Sequence, residues 1–191
     1  MRTQLVLASL LTLFLSFARA EDFPSPPPGF RTQVLDATDG RINMPLDWSY
    51  KSGGTTNGWL WTFAKDRTQN GAYDTGFSIQ LFLDVKNAAK STPEAFALQF
   101  LRTKKASAKV VKDCPREEIS GYSRQCLETS ETLQRGFRTR DFRLLYSVFW
   151  SDERDQVIIT TFGAPEVDWI KLTDTVKTMS EFQIIGPNLG R

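Results

Sequence analysis

The sequence predicts an α+β domain, an antiparallel β-sheet with helices packed on it. Three observations carry this. Stretches that alternate apolar and polar residues outnumber those with helical periodicity, and turn sequences join them as hairpins. Residues 141–151 and 156–163 are apolar on both faces, which implies central strands covered above and below. Residues 91–106, and the stretch from about Pro165 onward, carry apolar residues at helical spacing.

The chain opens on a targeting pattern. Arg2 precedes an apolar run over 5–17, and Ala18-Arg19-Ala20 supplies small residues where a signal peptidase reads. The run is shorter than the ~20 residues of a spanning helix. The expectation is a cleaved signal peptide over 1–20, Glu21 as the mature N-terminus, and a periplasmic or secreted protein with no transmembrane segment after cleavage. Residues 21–32, with Pro24, Pro26, Pro27 and Pro28, read as a stiff extended linker. One domain is expected over 33–185, then a short tail over 186–191.

The strands follow in order. Residues 33–36 and 40–44 flank an Asp39-Gly40 turn. Extension resumes over 48–51, and Ser52-Gly53-Gly54-Thr55-Thr56-Asn57-Gly58 reads as a flexible loop. Trp59, Trp61 and Phe63 alternate with Leu60, Thr62 and Ala64 in one strand. After a polar stretch with an Asn70-Gly71 turn, Phe77, Ile79, Leu81 and Leu83 mark the next. In the first helix Thr92 can cap, Pro93 fits the first turn, and Phe96, Ala97, Phe100 and Leu101 form the buried stripe. Residues 109–113 and 121–133 read as strands. The long hairpin over 141–163 turns at Asp152-Glu153-Arg154-Asp155. The last helix buries Trp169, Leu172, Val176 and Met179, and a short extended piece ends near Ile185.

Composition excludes much chemistry. There is no His, so no His-based nucleophile or general base and no His-liganded metal. The charges are 24 basic and 22 acidic, and Arg2 and Arg19 leave with the leader, so the mature chain is neutral. That balance argues against nucleic-acid binding. In an oxidising compartment the even pair Cys114 and Cys126 is expected to form a disulfide. If 110–114 pairs antiparallel with 126–130, the two cysteines lie opposite each other. No cofactor or metal motif is present. Gly53-x-x-x-x-Gly58 lacks the Lys-Ser/Thr of a phosphate loop. The carboxylate pairs Glu117/Glu118, Asp152/Asp155 and Glu166/Asp168 each have a solvated reading, as do the 152–155 turn as a calcium loop and the cluster of Arg135, Arg138, Arg140 and Arg143 as an anion tip.

Several stretches resemble the PsbP-like superfamily. They are Gly40-Arg41-Ile42-Asn43-Met44-Pro45-Leu46-Asp47-Trp48, Thr92-Pro93-Glu94, Ile158 through Glu166, and Ser180-Glu181-Phe182-Gln183-Ile184. The resemblance implies an antiparallel sheet flanked by helices on both faces. It also implies a binding, adaptor or assembly role rather than catalysis, and it transfers no functional residue. The expected function is that of an exported non-enzymatic binding or accessory protein of the cell envelope with a protein partner. The alternatives are a small-molecule or lipid carrier with an aromatic-lined cleft and a carboxylate-dependent hydrolase. The expected contact surface is Trp48, Tyr50, Trp59 and Trp61 beside the glycine loop, since Trp and Tyr give large contact area.

Overall fold

The computed structural model describes residues 23–65, 73–135 and 138–184. The expected leader and Glu21 terminus, the Asn70-Gly71 turn, residues 136 and 137 between the expected anion-tip arginines, Ile185 and the tail lie outside the described residues. The architecture is α+β, with a sheet of eight strands and a smaller one of three.

The large sheet is built from two meanders. β3 (Ser49–Thr55), β4 (Gly58–Ala64) and β5 (Gly76–Leu83) form the first. β8 (Tyr122–Arg135), β9 (Arg138–Ser151) and β10 (Gln156–Pro165) form the second. β5 pairs with β10 and joins them. β6 (Lys109–Asp113) and the short β7 (Glu117–Ile119) both pair with β8. Every pairing is antiparallel.

The upper face carries α1 (Val85–Ala88) and α2 (Pro93–Ser107). The Thr92 hydroxyl accepts from the Ala95 N–H at 3.2 Å, Pro93 occupies the first turn, and Glu94 meets the positive helix end. α2 lies over β8, β9 and β10. Ala97 and Leu101 are buried there with Tyr146, Val148, Trp150, Val157 and Ile159, while Phe96 and Phe100 pack half-buried at the margin.

The lower face is covered differently. β1 (Phe30–Leu35), β2 (Gly40–Pro45) and β11 (Phe182–Gln183) form the small sheet. A 3₁₀ helix (Glu166–Leu172) and α3 (Thr173–Ser180) complete the cover. Beneath them lie Trp61, Phe63, Phe77, Ile79, Leu81 and Phe162, packed with Ile42, Met44 and Met179. The two-faced apolarity of β9 and β10 is therefore real. Val157 and Ile159 face up while Ile158 and Phe162 face down.

Two local readings change. The expected glycine loop is mostly strand: Ser52, Gly53, Gly54 and Thr55 pair with Trp61, Leu60, Trp59 and Gly58, leaving only Thr56-Asn57 to turn. A strong neighbouring strand overrides the weak strand propensity of Ser and Gly. The expected last helix is 3₁₀ through Leu172 before it becomes α-helical. In a three-residue turn Glu166, Trp169 and Leu172 stack on one side, which points all three at the sheet. At the N-terminal end, β1 begins at Phe30, inside the expected linker, and Asn43 donates its side-chain amide to Pro24 O at 3.1 Å.

Candidate functional site

The four expected contact aromatics divide. Trp61 is fully buried and Trp48 is 4% exposed, so both belong to the core rather than to a contact surface. Trp61 donates its indole N–H to Asp36 O at 3.1 Å, and Trp48 packs 6.0 Å from Phe162, which also meets Trp169. The physical reason is the side of the sheet: Tyr50, Trp59, Trp61 and Phe63 all face down, under the small sheet and the last helix. Tyr50 and Trp59 lie at the edge of that cover and are half-buried. Tyr50 donates to the Asp36 carboxylate at 3.0 Å. Burial raises its pKa above the ordinary 10.0, opposed by the Asp36 backbone N–H that it accepts. The Trp59 Nε1 is shielded with no acceptor among the described residues.

The open surface is on the other side. Reading across the sheet, the registers align Lys51, Thr62, Ser78, Thr161, Tyr146 and Leu127 in one upper row. The next row runs Gly53, Leu60, Gln80, Ile159, Val148 and Gln125. In each row the β9 and β10 positions are largely apolar and lie near α2. Apart from Leu60, the β3, β4 and β5 positions are polar or small, and no described helix covers them. The sequence signal for this is the polar partner in the alternation, Thr62, Ser78 and Gln80.

Three recesses open on the upper side of the sheet. One, of about 280 Å³, has apolar walls from Phe82, Val85, Ala88 and Phe96 near the start of α2. It shares Thr55 with a second, of about 430 Å³, floored by Lys51, Gly53, Leu60, Thr62 and Ser78. That one shares Tyr73 with a third, of about 370 Å³, near the end of α2. There the Tyr146 and Thr129 hydroxyls both donate to Glu131 Oε1 at 3.0 Å. The Lys104 ammonium stands 5.0 Å from the Tyr146 ring centre. Burial, then the Glu131 carboxylate, raises the Tyr146 pKa well beyond the ordinary phenol range, so it remains a neutral donor. This end offers a cation, an anion and a hydroxyl beside Leu133, Phe142 and Leu144.

The acidic pairs have structural employment. Glu117 pairs with Arg124 at 2.6 Å, and Glu118 with Arg116 at 3.3 Å. Asp152 accepts from the Glu94 N–H and Asp155 from the Lys86 N–H, which fastens the 152–155 turn to both upper helices. Glu166 pairs with Arg143, and Asp168 with Lys171. Arg143 also holds Glu128 at 2.9 Å, and Arg140 meets Asp74 at 3.4 Å, so these two expected anion-tip cations have carboxylate partners. The side chains of Arg135 and Arg138 lie outside the described set. No group of three or more potential metal ligands gathers among the described residues. Cys114 and Cys126 are at disulfide distance with Cα atoms 5.0 Å apart, and the Cys114 N–H donates to Cys126 O. Asp113 pairs with Leu127 and Lys112 with Glu128, the register that sets the cysteines opposite each other. A bulge at Val111 shifts the pairing beyond.

No family model matches the chain, and no curated protein matches it. Among solved structures it is similar to cyanobacterial PsbP from Synechocystis sp. PCC 6803, with 15% identity and a TM-score of 0.49 over 82% of this chain and 92% of that one. It is similar to PA94 of Pseudomonas aeruginosa, a protein of unknown function, with 15% identity and a TM-score of 0.46 over 80% and 94%. It is also similar to the Saccharomyces cerevisiae Ran-binding protein Mog1p, with 8% identity and a TM-score of 0.49 over 85% and 98%.

Proposed function

We propose that the chain is an exported, non-catalytic binding module of the cell envelope, and that its contact surface is the upper face of β3, β4 and β5 beside α2. The observation that carries this reading is the division of that face: apolar and packed under α2 on one meander, and on the other polar or small at Lys51, Gly53, Thr62, Ser78 and Gln80, with no described helix over them. A protein partner suits the recesses. The one walled by Phe82, Val85, Ala88 and Phe96 holds about 280 Å³, at the lower limit of the ~300–1,000 Å³ of ligand pockets, so it fits one side chain of a partner better than a lipid tail. The polar floor supplies hydrogen-bonding groups around that anchor, as contact rims do. Export is supported by the leader pattern and by the paired cysteines.

The test is a photo-crosslinker placed at Thr62, compared with one at exposed Val167 on the lower side, in cells that produce the full chain. Adducts at Thr62 alone are expected. Equal labelling at both positions, or none at Thr62, sinks the reading. Leu60→Arg should keep the fold and abolish the Thr62 adduct. Mass spectrometry of the native protein should find Glu21 at the N-terminus, and an intact Met1 defeats the export claim.

A further inference from the structure

The two edges of the large sheet are unlike. β6 is bulged at Val111 and bears Lys109, Lys112 and Asp113, all exposed, which are the devices that blunt a sheet edge against further pairing. β3 has no bulge, no proline and one charge, Lys51. Among the described residues it pairs only with β4, which leaves its outer edge as a row of backbone groups with no described strand beside it.

The two-residue turn at Thr56-Asn57 fixes which groups point out. Thr55 and Gly58 flank it as a hydrogen-bonded pair, and so, at alternate positions, do Gly53 with Leu60 and Lys51 with Thr62. The backbone N–H and C=O of Tyr50, Ser52 and Gly54 therefore point away from β4. We infer that β3 is the site at which two copies of this chain associate, edge to edge and antiparallel, about a two-fold axis at Ser52.

The sequence of β3 is complementary to itself in that register. Ser52 meets Ser52 of the second copy, Tyr50 meets Gly54, and Lys51 meets Gly53. Each bulky side chain faces a glycine, and the two lysines stand diagonal rather than opposed. All three outward residues fall in hydrogen-bonded pairs, for about six bonds in total. Centring on Lys51 instead would oppose the two ammonium groups. Space is available: a Cβ at Gly53 would meet nothing within 4 Å. On the lower side Tyr50 of the second copy comes to Gly54, over which the Trp59 ring already lies, with 3.2 Å between a Cβ there and that ring. The result is one continuous sheet with two bare upper faces side by side. A single strand pair makes a small interface, so the association is weak.

Sedimentation of protein purified from cells expressing the full chain should show a reversible monomer–dimer equilibrium up to several hundred micromolar. Amide exchange by NMR should slow with concentration at Tyr50, Ser52 and Gly54. Gly53→Lys sets like charges opposite Lys51 and should weaken the dimer roughly five- to tenfold, and Gly53→Glu should tighten it by a similar factor. Ser52→Pro removes an outward N–H and should leave a monomer. A protein that is monomeric throughout overturns the inference, as does a dimer indifferent to Gly53→Lys or amide protection confined to β6.

Discussion

Gly40 and Gln183 meet so closely that a Cβ on Gly40 would stand 2.3 Å from the Gln183 carbonyl oxygen. The Asp39-Gly40 pair looks like an ordinary turn, yet Asp39 takes the positive φ of 52° and Gly40 is the first residue of β2. Its bareness lets β11 dock. Gly40→Ala must push that strand away, and overpacking of this kind costs about 1–3 kcal/mol. Urea unfolding is the measurement, and a loss under about 0.5 kcal/mol would mean that the backbone yields freely.

Trp61 and Leu60 are sequence neighbours on opposite faces. Trp61→Ala should cost about 3–5 kcal/mol because it empties a fully buried site. Leu60→Ser, on the bare face at 37% exposure, should stay within about 0.5 kcal/mol. Similar losses for the two would place the core on the wrong side of β4.

Glu166 ties the 3₁₀ helix to the sheet. The Arg143 guanidinium lowers its pKa below the ordinary 4.5, helped by the Ser130 hydroxyl and opposed by burial. A lowered folded-state value contributes stability above the unfolded pKa, and that contribution is lost as pH falls through the folded one. Wild type should therefore lose stability relative to Glu166→Gln between about pH 5 and pH 3. Parallel acid-unfolding curves for the two proteins would show that the pair contributes nothing.

Cys114 and Cys126 close a short loop, for which chain entropy gives roughly 3 kcal/mol. Thiol titration of the oxidised protein should find no free cysteine, and Cys114→Ser with Cys126→Ser should lower the urea midpoint accordingly. Two titratable thiols in protein isolated under non-reducing conditions would refute the bridge.

What was legible depended on how much of each signal was local. The Thr92 cap, the Pro93 start and the two-faced hairpin are written in adjacent residues, and they appear where expected. The register at Asp113 and Leu127 followed from pairing arithmetic. The strand at Ser52–Thr55 was not legible, because its cause is β4 beside it rather than its own side chains. The 3₁₀ turn was hidden because Trp169 and Leu172, three apart, suit either helix over so short a length. The contact aromatics were misplaced for a related reason. Alternation says that Trp59, Trp61 and Phe63 share a side, but which side is covered depends on β1 and β2, far from them in the chain and in another sheet.

The seam between β5 and β10 sets the order of assembly. Each meander on either side closes through hairpins of near neighbours in sequence, which form fast. The seam joins Leu81 to Ile158 and Ile79 to Thr160, and it must wait for the entropy of a long intervening loop to be met. Folding is thus expected to be limited by docking of two preformed halves. The coupling energy between Leu81 and Ile158, isolated by a double-mutant cycle, should be absent from the folding transition state, whereas coupling across the β9–β10 hairpin should already be present in it.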